Sequence, residues 1–260
     1  MNKSIPTILS YGGGVQTFAL LLLILEGKIE KPQFVIFSDT KAEYPLTYIH
    51  IDKYAKPICE ILDIPFITVQ HQDGIIDGYT NQNSIPMAGF RSCTYNYKIR
   101  PINKYLTEFL GSSKIKGKPS IISLIGISTD ESKRAIPRNK QSPKWVYLKY
   151  PLLELDLSRR QLIDIINKSP YPLPIKSGCY ICPYNGLKGF VDLKQNHKEL
   201  FKIAVEMEEN YFIHRPERIH GFLQDSQIKL KELGQIPSLY SFVKTLPNEH
   251  NECDTGGCFL

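Results

Sequence analysis

Short apolar blocks separated by polar or glycine-bearing breaks run along the first two-thirds of the chain, and their period changes from block to block. Ile5 to Ser10 reads as a short buried strand, broken by Tyr11-Gly12-Gly13-Gly14. Val15 to Glu26 is a helical run that stops at Gly27. Phe34 to Phe37 predicts a second strand that ends in Ser38-Asp39-Thr40. Between Thr47 and Leu62, the residues Ile51, Tyr54, Ile58, Ile61 and Leu62 recur at helical spacing, with Pro57 predicting a kink. Pro65 to Val69 is a third strand. Residues 70–95 are polar and contain glycine, which predicts a long loop holding at most short helical pieces.

Pro101 to Leu110 predicts a helix with proline in its first turn and Ile102, Tyr105, Leu106 and Phe109 on one face. Ile121 to Ile127 and Trp145 to Tyr147 are the fourth and fifth strands, and Ser158 caps a helix carrying Leu162, Ile165 and Ile166. Pro170, Pro172 and Pro174 then mark a boundary. Beyond it come a cysteine-bearing turn, a helix from about Gln195 to Glu209, a shorter one near 226–233, and a polar tail. Strand and helix alternating in this way predict a doubly wound parallel five-stranded sheet with helices on both faces. The expected division is an α/β domain over 1–168 and a small, mostly helical, cysteine-bearing region over 169–260. Such sheets bind ligands beyond the carboxyl ends of their strands. That draws notice to Ser10–Thr17, Ser38–Glu43, the loop after Val69, and Gly126–Arg134.

Composition narrows the class without changing the fold. With 42% hydrophobic and 22% charged residues over 260 positions, the chain is globular rather than disordered, collagen-like or coiled-coil. Its longest apolar run, Phe18 to Leu25, is far short of the ~20 residues that span a bilayer. No targeting segment is visible, so a cytoplasmic, membrane-free protein is expected. The net charge of +6 is unevenly placed. Residues 91–149 hold 13 Lys and Arg against three acids (Glu108, Asp130, Glu131), an excess that favours a polyanionic partner; for Lys114, Lys116 and Lys118 a solvated basic face is the equal alternative.

Ser10-Tyr11-Gly12-Gly13-Gly14-Val15-Gln16-Thr17 joins the first strand to the first helix. Consecutive glycines bring backbone N–H groups close to an anion, and the helix N-terminus adds its dipole. Thr17, in the first helical turn, offers a hydroxyl. Neither a dinucleotide G-x-G-x-x-G nor a Walker loop fits; a tight structural turn is the plain alternative.

These residues resemble the pyrophosphate loop (PP-loop) of the adenine-nucleotide alpha hydrolase superfamily, usually Ser-Gly-Gly-x-Asp-Ser. Other stretches resemble its phosphoadenosine phosphosulfate (PAPS) reductase branch. Phe37-Ser38-Asp39-Thr40 with Glu43-Tyr44-Pro45 and Thr47-Tyr48 is similar to the family's Asp-Thr-Gly...Phe-Pro-Glu-Thr segment. Cys93-Thr94 followed by Lys98-Ile99-Arg100-Pro101-Ile102 is similar to Cys...Arg-Lys-Val-x-Pro-Leu. Gly126-Ile127-Ser128-Thr129-Asp130-Glu131-Ser132-Lys133-Arg134 resembles Gly-Ile-Arg-x-x-Glu-Ser...Arg, Pro151-Leu152 its Pro-Leu, and Cys179-Tyr180-Ile181-Cys182-Pro183 its late cysteine pair. The matches run in family order over about residues 8–185. Two departures stand out: Gln16 replaces the loop Asp and Gly12 its first Ser, and Ser92-Cys93 carries one cysteine where iron–sulfur reductases carry two.

The resemblance implies the HUP-type PP-loop fold and a nucleotide site. The loop (Ser10, Gly12, Gly13, Gly14, Gln16, Thr17) and Gly126 would hold the phosphates of ATP with Mg²⁺, or the anion of an adenylylated substrate. Asp39 and Thr40 would face the nucleoside and Arg134 the phosphates. The plain alternatives are an N-cap for Asp39 and a surface salt bridge for Arg134.

Six cysteines in a chain this large are not needed as staples. Cys179-x-x-Cys182 is half a metal site. Cys93 is the third ligand by family position, and the tail offers Cys253 or Cys258 as a fourth. Three readings stay open: a [4Fe–4S] cluster on Cys93, Cys179, Cys182 and Cys253, a structural zinc, or a dithiol. Cys59 belongs to an apolar helix face and reads as core, while His71 and His214 read as ordinary polar residues. Glu252-Cys253 is faintly similar to the terminal Glu-Cys-Gly nucleophile of sulfonucleotide reductases, so Cys253 and Cys258 are candidate catalytic thiols; a disulfide between them is the alternative.

The leading expectation is an ATP pyrophosphatase that adenylates an acceptor, tRNA or DNA, and delivers sulfur through a cluster or cysteine persulfide, its sulfur donor unnamed. The runner-up is a sulfonucleotide reductase releasing sulfite. A non-enzymatic nucleotide-binding redox sensor is the third reading. A homodimer is the assembly considered.

Overall fold

Five strands, β1 (Thr7–Tyr11), β2 (Phe34–Asp39), β3 (Phe66–Gln70), β4 (Ile121–Ile125) and β5 (Val146–Lys149), pair in parallel in the order β3-β2-β1-β4-β5. The computed structural model describes residues 5–114, 117–135, 143–223 and 227–234. Side chains alternate between two cores. Leu9, Tyr11, Val35, Phe37 and Leu124 enter one, and Ile8, Phe34, Ile36 and Ile121 the other. Burial on both faces is why these strands carry continuous apolar runs. The chain builds outward from β1 to β3, then crosses to β4, so the topological switch point lies between β1 and β4.

Helix α1 (Val15–Leu25) is buried almost all round, because it lies between the sheet and a second helical layer. Next, α2 (Pro45–His50), a π-helical turn at Ile51–Ala55 and α3 (Lys56–Ile61) form one continuous run. The kink predicted at Pro57 is absorbed by that π turn: the Lys56 N–H donates to the Ile51 carbonyl, five residues back, and Pro57 has no N–H to offer. Cys59 is core, as its pattern predicts, and burial pushes its thiol up to about 12. The predicted 70–95 loop carries only α4 (Ile75–Thr80) and α5 (Ser92–Thr94). A second π turn, Tyr95–Ile99, precedes Pro101 in the same way, with the Arg100 N–H donating to Tyr95, and leads into α6 (Arg100–Leu110). Leu106 and Leu110 of α6 cover the other face of the sheet.

After β5 come α7 (Pro151–Glu154) and α8 (Arg159–Asn167), which packs on α1. Ser158 caps α8 in a capping box with Gln161. The single helix expected over 195–209 is two: α9 (Gly186–Asn196) and α10 (Lys198–His214), which meet at His197, whose backbone is non-helical (φ −139°, ψ 61°). The helix expected near 226–233 is reduced to a short 3-10 turn at Leu230–Gly234.

A third core holds Cys179 to Cys182, Phe190, Phe201, Met207, Tyr211 and Phe222 together with Ala42, Ile75, Tyr79, Ile85 and Tyr97. Residues from both sides of the expected 168/169 boundary therefore share it. Glu208 sits in this core and accepts the backbone N–H groups of Phe222 (2.9 Å) and Leu230 (2.6 Å), tying the following segment to α10. No helix among the described residues is long and apolar enough to cross a membrane. Cys253 and Cys258 lie outside the described residues.

Candidate active site

The loop after β1 is shaped by its glycines. Gly13 sits at φ +75°, where only glycine is unstrained, and a Cβ there would come within 2.8 Å of Thr47 Cγ2. The Gly12 N–H reaches Thr17 Oγ1 (3.3 Å), and that hydroxyl donates to the Gly14 carbonyl (3.2 Å), so Thr17 closes the loop across the first turn of α1. Gly126, just past β4, meets the loop at the switch point. A Cβ there would stand 2.9 Å from Thr17 Cγ2 and 3.1 Å from the Thr17 backbone nitrogen. A small, open cavity lies above these strand ends, lined by Ser10, Gly12, Thr17, Ser38, Lys98 and Gly126 with Tyr11, Phe37, Ile102 and Ile125. It is the right kind of place for a phosphate chain, with glycine backbone, a helix N-terminus and a hydroxyl on one rim.

The side chain of Gln16 turns to a polar cluster. Its Nε2 donates to Glu131 Oε1 (3.3 Å) and its Oε1 accepts from Arg159 (3.5 Å). Arg134, expected on the phosphates, forms a largely buried ion pair with Glu131. Burial raises the Glu131 carboxyl above its usual range, and the arginine beside it pulls the other way. The Gln16 position is thus held by a neighbouring ion pair, a role that a charged Asp there would fill differently.

Asp39 ends β2 and uses one carboxylate oxygen locally, accepting from Tyr48 Oη and from the Lys41 N–H, both at 2.7 Å. Thr40 departs from expectation. It is 1% exposed and turns away from the loop cavity, donating to Glu43 Oε1 (3.4 Å) and lying 3.2 Å from Cys179 Sγ. Glu43 is the hub here. The same Oε1 accepts from Lys98 Nζ (3.0 Å) and faces Cys179 Sγ at 3.9 Å, and Glu43 pairs with Cys179 through a single antiparallel bridge. Glu43 is buried at 1% exposed and Lys98 largely so at 12%. Glu43 and Lys98 are separated by 55 residues, which hides the pair in the sequence.

The cysteine turn is fastened on several sides. The Tyr180 N–H donates to the Ala42 carbonyl (2.9 Å), the Cys182 N–H to the Cys179 carbonyl (3.0 Å), and Asn185 Nδ2 to the carbonyls of Cys179 and Tyr180. Cys93, Cys179 and Cys182 line one small cleft with Thr40, Thr94, Lys98 and apolar neighbours. Among the described residues, however, no group of three or more His, Cys, Asp or Glu side chains is gathered closely enough to hold a metal ion. As the side chains stand, the three thiols make a thiol-lined cleft and not a closed metal centre; Cys179 faces Thr40 and Glu43 instead. His71 packs its ring on Tyr97, and His214 is exposed at the end of α10, so neither enters the site.

The basic stretch is partly used within the fold. Lys98 pairs with Glu43, Arg134 with Glu131 and Lys149 with Glu154, and Lys114 lies over the Trp145 ring. Arg100, Lys104, Lys118, Lys133 and Lys144 are exposed, while Lys116, Arg138 and Lys140 lie outside the described residues.

Comparison with known proteins adds three findings. Uncharacterized protein MJ0973 of Methanocaldococcus jannaschii is 26% identical over 243 residues, covering 90% of this chain and 56% of that protein. The chain therefore spans little more than half the length of this relative. A solved structure, the U34-tRNA thiolase NcsA from Methanococcus maripaludis with its [4Fe-4S] cluster, is similar at 16% identity and a TM-score of 0.39, covering 95% of this chain and 74% of that one. A likeness that distant carries no argument about function. The model of the phosphoadenosine phosphosulfate reductase domain matches residues 6–136, just over half of the chain, ending before Cys179. The matched span holds the glycine loop, the Asp39 segment, Cys93 with Lys98, and Gly126 at the switch point, and on this match the chain belongs to the phosphoadenosine phosphosulfate reductase domain family.

Proposed function

We propose that this chain is an ATP-dependent enzyme that activates an acceptor by adenylation and then passes sulfur to it from the cysteine cleft. One observation carries the reading: the loop cavity and the cysteine cleft share a wall, and Lys98 lines both. An activated carbon bound between them would meet a phosphate leaving group on one side and thiols on the other.

The loop N–H groups, the α1 dipole and Thr17 would hold the phosphates, with Mg²⁺ carried by the nucleotide. An acceptor oxygen attacks the α-phosphorus and pyrophosphate leaves. A persulfide sulfur on one cysteine of the cleft then attacks the activated carbon and AMP departs. A second thiol of the cleft attacks the remaining mixed disulfide, releasing the thiolated product and leaving a cysteine–cysteine disulfide. A sulfane-sulfur donor reloads the persulfide, and an external dithiol resets the disulfide. The all-thiolate donor set is also the kind that holds a [4Fe–4S] cluster or zinc, with a fourth ligand from Cys253 or Cys258. The transfer from a loaded persulfide uses the thiols without a metal. Exposed Arg100, Lys104, Lys118, Lys133 and Lys144 favour a nucleic-acid acceptor, tRNA or DNA.

The second reading, reduction of an adenylylated sulfate, is favoured by the family match itself. The test is to incubate anaerobically purified protein with MgATP and bulk tRNA, and separately with adenylylated sulfate and a dithiol. Pyrophosphate from the first supports sulfur transfer; sulfite from the second, with no pyrophosphate, replaces it with the reductase. Iron, zinc and acid-labile sulfide measured on the same sample decide what the thiols carry.

A further inference from the structure

Ser177 lies two residues before Cys179, in the cysteine-bearing segment, yet it packs on the phosphate loop. A Cβ placed on Gly14 would stand 2.6 Å from Ser177 Oγ, and one on Gly13 would stand 3.8 Å from Ser177 Cβ. The residue is 6% exposed, and its Oγ makes no hydrogen bond among the described residues but keeps some contact with solvent. An 11-residue helix, α1, begins directly beneath it. A hydroxyl that spends no hydrogen bond within the fold and lies beside a helix N-terminus is well placed to donate to an arriving anion.

We infer that Ser177 is a phosphate-contacting residue of the nucleotide site, and that through it an occupied loop orders the Cys179–Cys182 turn. Glycine at 13 and 14 leaves the space that brings this hydroxyl against the loop. Only Gly178 separates it from Cys179, whose far side is already fixed by the Glu43 bridge and by Asn185. A phosphate oxygen accepting from Ser177 would fix the near side as well. Ligand at the loop and order at the thiols are then linked, and the linkage is reciprocal. The sequence signal was slight: small residues, Ser177-Gly178, ahead of the cysteine pair. This inference rests on the nucleotide reading above and deepens it.

The test is calorimetric titration of the full chain, wild type and Ser177→Ala, with MgATP, inorganic pyrophosphate and adenosine. Amide exchange of residues 178–182 is followed alongside. Ser177→Ala should lose about tenfold in affinity for ATP and for pyrophosphate, the effect of one hydrogen bond to a charged group. Affinity for adenosine should not change. In the wild type, pyrophosphate alone should slow exchange at 178–182, a readout that needs no variant. At ATP saturating both proteins, the slowing should be absent from Ser177→Ala. Undiminished ATP affinity in Ser177→Ala overturns the inference and leaves the nucleotide reading standing, as does an equal loss for adenosine or unchanged exchange in the wild type with pyrophosphate bound. Failure of the wild type to bind either ATP or pyrophosphate overturns both.

Discussion

The glycine loop and the cysteine cleft lie side by side but are built differently. The loop is eight consecutive residues, Ser10 to Thr17, and presents backbone N–H groups. The cleft is assembled from the Thr40–Glu43, Cys93–Lys98 and Cys179–Pro183 segments, and its polar groups are side chains. A site made of backbone tolerates side-chain change. That explains how Gly12 and Gln16 stand where related loops carry Ser and Asp: the chain path is kept by Gly13 and Gly126, and Gln16 is held by Glu131 and Arg159. A site made of side chains has no such tolerance, because each charge is buried against a particular partner.

Replacement of single residues should break this contrast or sharpen it. The largest effect is expected from Cys179→Ser. It should reduce thiolated product on the order of a thousandfold or more, while ATP affinity measured by calorimetry stays within about twofold. Loss of ATP binding in that variant would mean the two regions are one site. Next, Lys98→Met leaves the Glu43 carboxylate buried without its cation. Urea denaturation should show about 3–5 kcal/mol lost; a change below about 1 kcal/mol would show that the pair is not a structural element of the cleft.

Gly126→Ala comes third. Its Cβ meets a backbone nitrogen, which cannot step aside. An overpacking cost of about 1–3 kcal/mol should weaken ATP binding by about tenfold or more with the fold retained. Wild-type affinity there would refute the close approach of the two loops.

The smallest effect concerns the linker that leads from α8 to the cysteine turn. His50 is buried against Phe18, and its Nε2 lies 3.0 Å from the Pro172 carbonyl. Burial lowers its pKa from the usual 6.5. The unfolded chain therefore takes up the proton first on acidification. Stability is full above the unfolded value and is lost as pH falls from there toward the lowered folded value, by at most about 1.4 kcal/mol per pH unit. Thermal melts between about pH 7.5 and 5.5 should show this slope, and His50→Phe should flatten it.

Much of the fold is legible in the sequence, because strands buried on two faces carry unbroken apolar runs and Gly12-Gly13-Gly14 punctuates the first of them. The helical errors have local causes. Gly186 and Gly189 look like a turn but belong to α9, where Gly189 makes room for Asn185, the residue that holds the cysteine turn. The helical pattern then runs on through His197 without marking the break. In the site, the loop residues are legible since they are neighbours in sequence. Glu43 with Lys98, the direction of Thr40 and the position of Ser177 are not, since each depends on segments brought together from far apart. The charge of residues 91–149 misleads in part for the same reason, since Lys98 and Lys149 pair with acids outside that stretch.

One reaction is proposed to use both regions. The most direct measurement is a single turnover of anaerobic, sulfur-loaded protein with MgATP and bulk tRNA, with pyrophosphate and thionucleoside quantified together. Equal amounts of the two are expected, with no thionucleoside without ATP or with Cys179→Ser. Pyrophosphate formed at the full rate with no cysteine-dependent thionucleoside would contradict that joint use.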